Sequence, residues 1–64
     1  MKYIAILTDA SGTWYGYGNT DHAAVMDAAT LYPSTNKTNC ALSVWFDGEL
    51  VYCSTLSKYF DDIS

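Results

Sequence analysis

Arginine is absent from this 64-residue chain, and lysine occurs three times, proline once and histidine once. With only Lys2, Lys37 and Lys58 as cations, the chain lacks the positive footprint that contact with a phosphate backbone requires, so direct binding of DNA or RNA is not expected. Long apolar runs are missing too. The N-terminal stretch Tyr3 to Leu7 is broken by Thr8 and Asp9, which suits a strand and not the core of a signal peptide, and nothing approaches the roughly 20 apolar residues that span a bilayer. The expectation is a soluble, cytoplasmic protein. A single imidazole, His22, leaves one candidate base for nucleophilic catalysis, and Gly12 to Gly18 has neither the lysine nor the spacing of a phosphate cradle. No enzyme activity and no cofactor are expected.

Seven carboxylates set the formal charge at −4, half of the residues are apolar, and 16% are aromatic. That apolar content exceeds what a disordered acidic tail carries and specifies one small globular domain over residues 1–64. A chain this short hides only about 60% of its unfolded surface, so a deep, lidded cleft is not expected. Its contacts must be made at the surface.

Lys2 to Thr8 is apolar on both alternating faces, as a strand with cover on both sides would be. Asp9-Ala10-Ser11-Gly12 supplies turn chemistry before Thr13 to Tyr17 resumes β-type residues, which predicts a hairpin with Thr8 opposite Thr13. Ile4 and Ile6 then share a face with Tyr17 and Tyr15, and Tyr3, Ala5 and Leu7 share the other with Gly18, Gly16 and Trp14. Gly16 and Gly18 read as the strand end and the start of a loop. Asn19 or Thr20 caps a helix that runs through Tyr32 to the stop at Pro33, with Ala24, Val25, Ala28, Ala29, Leu31 and Tyr32 on its buried stripe. Ala23, Met26, Asp27 and Thr30 point the other way. Ser34 to Asn39 reads as a polar surface loop, its Asn36-Lys37-Thr38 sequon a chance match.

Asp47-Gly48 joins Asn39 to Phe46 and Glu49 to Thr55 in a second hairpin. With Phe46 opposite Glu49 and uninterrupted pairing, Cys40, Leu42, Val44, Phe46, Val51 and Cys53 face the helix. Trp45, Leu50 and Tyr52 lie on the opposite face, with Trp14 and Tyr3 as further candidates for it. Cys40 and Cys53 then share a face diagonally, a geometry that strains a disulfide, and they read as reduced core residues. Leu56, Tyr59, Phe60 and Ile63 recur at helical spacing, with Ser57 as the turn starter, and close the chain with a short helix. The predicted fold is α+β in ββαββ order plus that helix, with a four-stranded, mostly antiparallel sheet carrying the main helix on one face.

His22, Cys40 and Cys53 lack the close C-x-x-C pairing of a zinc site, so no metal is expected. Leu7-Thr8-Asp9-Ala10-Ser11-Gly12 with Gly16-Tyr17-Gly18 resembles the opening hairpin of ribonuclease H-like nucleases, where an aspartate of the first strand helps to hold divalent metal. The likeness covers under a third of the chain, and the family draws its other carboxylates from a later helix and strand. A degenerate nuclease fragment is therefore the third-ranked reading, and Asp9 is primarily a turn residue.

Charge and aromatic rings carry more. Lys58 stands against Asp47, Glu49, Asp61 and Asp62 in residues 40–64, which hold three of the four net negative charges. Beside an open aromatic face these carboxylates would steer the chain toward a basic surface. In size, acidity and construction the whole chain resembles the small phage-encoded anti-CRISPR proteins, which block the DNA-binding or nuclease-recruiting surface of a CRISPR effector complex in the host cytoplasm. The resemblance implies an inhibitor that binds a larger protein, with Asp47, Glu49, Asp61 and Asp62 pairing with its cations and Trp45 and Tyr52 as apolar anchors. Seven carboxylates are too few for wholesale mimicry of duplex DNA. The alternative is a small assembly subunit that forms a homodimer through its aromatic face.

Overall fold

A computed structural model describes residues 2–33 and 39–63, the side chain of Ile63 excepted. The expected loop from Ser34 onward, its sequon and the contribution of Ile63 to the last helical stripe lie outside the described residues. The chain folds as β1 (Tyr3–Asp9), β2 (Gly12–Gly18), α1 (Asp21–Leu31), β3 (Ala41–Phe46), β4 (Glu49–Thr55) and α2 (Leu56–Ile63). The four strands form one antiparallel sheet in the order β2-β1-β3-β4, packed against the main helix, so the α+β prediction holds.

The first hairpin pairs as its turn chemistry dictates, with Thr8 opposite Thr13 and Ile4 opposite Tyr17. Asp9 builds the turn: its Oδ1 accepts from the Ser11 amide at 2.7 Å, the Ser11 hydroxyl at 2.7 Å and the Gly12 amide at 3.2 Å. Its second oxygen accepts from the Tyr32 hydroxyl at 2.6 Å, which fastens the end of α1 to the hairpin.

Thr20 caps α1, its Oγ1 accepting from the Ala23 amide at 3.1 Å. At the other end Tyr32 turns extended, the conformation that a following proline imposes. Gly16 and Gly18 correct the sequence reading. They lie inside β2 and form the floor on which α1 rests: a Cβ on Gly16 would come within 2.7 Å of the Ala28 Cα and closer still to the Ala28 nitrogen and Ala24 oxygen. One on Gly18 would meet the Ala23 Cβ at 2.6 Å. Small residues on both elements allow this approach, and it changes the helix faces. Ala24, Val25, Ala28 and Tyr32 are buried as expected, but Leu31 is 59% exposed. Ala23 instead meets the sheet, and Asp27 reaches its edge, where Oδ2 accepts from the Tyr17 amide at 3.0 Å.

The second hairpin turns on Asp47 and Gly48, both at positive φ (54° and 81°), the pairing that a two-residue primed turn requires. Phe46 opposes Glu49 and Trp45 opposes Leu50, but a β-bulge follows: Val44 opposes Tyr52, and Val51 is the extra residue. Every later residue of β4 therefore changes face. Tyr52 turns toward the helices, opposite Val44, and Cys53 turns outward and is exposed. Cys40 is buried in the core, so the expected diagonal pair on one face does not exist and both thiols are free.

α2 packs on the same side of the sheet as α1. Thr55, not Ser57, starts it, its Oγ1 accepting from the Lys58 amide at 3.1 Å, while the Leu56 amide donates to the Cys40 carbonyl at 3.0 Å. Leu56 and Tyr59 are buried, and Tyr59 meets Tyr52 edge-on at 5.5 Å between ring centroids. The largest fully buried side chains, Leu7, Val25, Cys40, Leu42, Val44 and Leu56, all belong to this single layer between sheet and helices. No described helix is long and apolar enough to cross a membrane.

Candidate functional site

Both helices cover one face of the sheet, and among the described residues no element covers the other. The cross-strand register lines up Tyr17, Ile4, Trp45 and Leu50 in one row across all four strands. The next row is Tyr15, Ile6, Ser43 and Cys53, and the last is Thr13, Thr8, Ala41 and Thr55. Apolar and aromatic groups thus grade into hydroxyls along the strands. Tyr15, Tyr17, Leu50 and Val51 are each about half exposed, at 50%, 54%, 50% and 51%. The Trp45 indole N–H is satisfied within the face, donating to the Ser43 hydroxyl at 3.2 Å.

This register redraws the aromatic surface expected from sequence. Trp45 and Leu50 are on the open face. Tyr52, Trp14 and Tyr3 are not: all three pack against the core on the helix side, Tyr3 beside Phe46 at 4.5 Å and Trp14 edge-on to Tyr32 at 4.8 Å between ring centroids. The bulge removed Tyr52, and the β1–β3 register, with Ile4 opposite Trp45, grouped Trp45 with Tyr15 and Tyr17 in place of Tyr3. Tyr52 is half-buried, its hydroxyl shielded from solvent and without a hydrogen-bond partner among the described residues, a poor setting for an exposed anchor.

No outward position of the four strands carries a charge. The carboxylates lie on the helix side or at the rim: Asp9 at the end of β1, Asp47 and Glu49 at the tip of the second hairpin, Asp21 and Asp27 on α1, and Asp61 and Asp62 on α2. The expected mixed site of acids and aromatic rings is therefore divided between two sides of the sheet. Asp62 is engaged within the chain, its Oδ1 lying 3.5 Å from the Lys58 ammonium one helical turn away, in an exposed pair of small energetic weight.

Around Tyr59 the two helices meet. Its hydroxyl lies 3.4 Å from His22 Nδ1, and burial pushes its pKa up, with Asp21 and Tyr52 adding to the shift. Burial likewise raises the Cys40 thiol. The hydrogen bond from Tyr32, followed by those from Ser11, holds the Asp9 carboxyl below its ordinary value of 3.8. His22 on α1, Cys40 in the core and Cys53 on the open face are kept apart, and among the described residues no three His, Cys, Asp or Glu side chains group to hold a metal ion. Asp9 is committed to its turn and to Tyr32. No protein-family model, no curated protein and no solved structure matches the chain.

Proposed function

We propose that this chain is a protein-binding module of the inhibitor kind, which lays its acidic side against a basic surface of a larger protein. The anti-CRISPR proteins that the sequence resembles are the group whose mode of action this describes, with the basic surface of a CRISPR effector as the partner. The observation that carries the reading is the segregation of charge: the carboxylates sit on the helix side and the rim, and the outward sheet face has none. A one-sided distribution of this kind orients a small protein during encounter and accelerates docking on a cationic surface.

Asp47, Glu49, Asp61 and Asp62 are the contact residues in this proposal, with Asp62 exchanging Lys58 for a cation of the partner. Trp45 and Tyr52 drop out of the acidic contact, because one lies across the sheet and the other is packed inside. The test is affinity capture from a host lysate with the wild-type chain and with a variant in which Asp47, Glu49, Asp61 and Asp62 are all changed to lysine. The expected result is a partner held by the wild type, released by raised salt and not retained by the variant, whose circular-dichroism spectrum is unchanged. Equal retention of that partner by the folded variant at low salt would remove the electrostatic basis of the proposal.

A further inference from the structure

We infer that the open sheet face is a self-association surface, covered in solution by a second copy of this chain, so that two sheets stack face to face with their helices outermost. Several independent features of the molecule lead there. β1 is one of the two central strands, and it is apolar on both faces: Ala5 and Leu7 point into the core, while Ile4 and Ile6 point outward beneath no helix. A central strand with this pattern is one that is covered on both sides.

Charge selects the occupant. The chain carries −4, so two copies repel each other through any surface that bears the carboxylates. The outward face is the one broad surface without them, and stacking there places the acids of both copies on opposite outer sides. Without a carboxylate the same face offers no attraction to a cationic foreign protein. The anatomy also fits an interface, with the row Tyr17, Ile4, Trp45, Leu50 as its apolar part and the threonine row as its polar margin.

Size is sufficient. Three strands of seven residues and one of six, at about 3.3 Å per residue and about 4.8 Å spacing, give a plane of at most roughly 23 by 19 Å. Two such planes approach 900 Å², and the relief of protruding tyrosine and tryptophan rings carries the accessible area past the roughly 1,000 Å² of a specific interface. Edge pairing is the competing route to self-association, and both edges are obstructed, by Asp27 on the Tyr17 amide of β2 and by the bulge at Val51 in β4.

Sedimentation equilibrium on the intact chain, from low micromolar to about 1 mM, tests the inference. The expected mass is twice 7.1 kDa, with a dissociation constant that hardly changes with salt. Tyr17→Lys and Leu50→Lys, at the two ends of the apolar row, each place a charge where the wild-type side chain is already half exposed, so the monomer folds. Each variant is expected to weaken the pairing by about 30-fold or more while keeping its circular-dichroism spectrum. A wild type that stays monomeric throughout would overturn the inference and leave the face to a foreign protein. So would pairing that survives both lysines. The lysine variant at Asp47, Glu49, Asp61 and Asp62 is expected to keep the doubled mass, so this inference and the acidic-contact proposal fail separately.

Discussion

Gly16→Ala is the sharpest test of how the helix is held. The added methyl group would stand within 2.7 Å of the Ala28 Cα and nearer still to two other α1 backbone atoms. Carbon atoms rest about 3.5–4.0 Å apart, so α1 must retreat by about 1 Å, and no side-chain rotation relieves a clash with backbone. A helix lifted that far loosens Ala24, Val25 and Ala28 against the sheet. Two effects oppose. Alanine in a strand interior gains about 0.5–1 kcal/mol over glycine through the unfolded chain, whereas forcing atoms into a packed core costs about 1–3 kcal/mol, here at the upper end. The net loss is about 2 kcal/mol, which for a domain of this size lowers the melting temperature by about 8–16 °C. Thermal unfolding followed by far-ultraviolet circular dichroism, at one fixed protein concentration, measures it. Gly12→Ala is the control, since its methyl would meet only the Trp14 ring at 3.5 Å, an ordinary contact. Equal melting temperatures for the two variants would refute the account of α1 docking on glycine.

Asp9 has a lowered pKa in the fold, so its contribution to stability is complete above the ordinary value of 3.8 and disappears as the pH falls through the lowered one. Unfolding midpoints measured across that acidic range are expected to fall in the wild type and to flatten in Asp9→Asn; an identical slope in both would contradict the assignment. Tyr52→Phe removes a shielded hydroxyl that has no partner among the described residues, and is expected to leave stability unchanged or raise it by up to about 1 kcal/mol in urea unfolding. A clear loss would mean that the hydroxyl is satisfied. Thiol titration of the reduced chain, diluted until it is monomeric, is expected to modify Cys53 rapidly and Cys40 only after denaturant is added, because in the single chain one is exposed and the other is buried with its thiol pKa raised. Simultaneous modification of both would place Cys40 outside the core.

The turn and register of the first hairpin were legible, because Asp9-Ala10-Ser11-Gly12 fixes its own turn and the turn fixes the register, but the place of Gly16 and Gly18 inside β2 was not. The second was legible only as far as Leu50. Nothing in Leu50-Val51-Tyr52-Cys53 distinguishes a bulged strand from a regular one, and with a side-chain period of two a single extra residue reversed the faces of Tyr52 and Cys53. The glycine floor did have a signal: glycines two apart on a strand, followed by alanines four apart on a helix, are complementary surfaces, but either motif alone also fits a loose strand end or an ordinary helix. The open face needed the pairing of β1 with β3, a contact between distant segments that no local pattern encodes.

The bulge at Val51 also bears on how far the proposed self-association could run. A sheet with two unobstructed outer strands can be extended from either side, and joining β2 of one copy to β4 of the next is a head-to-tail contact with no built-in end, the geometry of a filament. Face-to-face stacking closes on itself after two copies. Deleting Val51 would keep Tyr52 opposite Val44 and leave the pairing with β3 intact while straightening the outer side of β4. The residue that the ladder does not need is thus, with Asp27 on β2, one of two guards that would separate the proposed pair of copies from an assembly that grows.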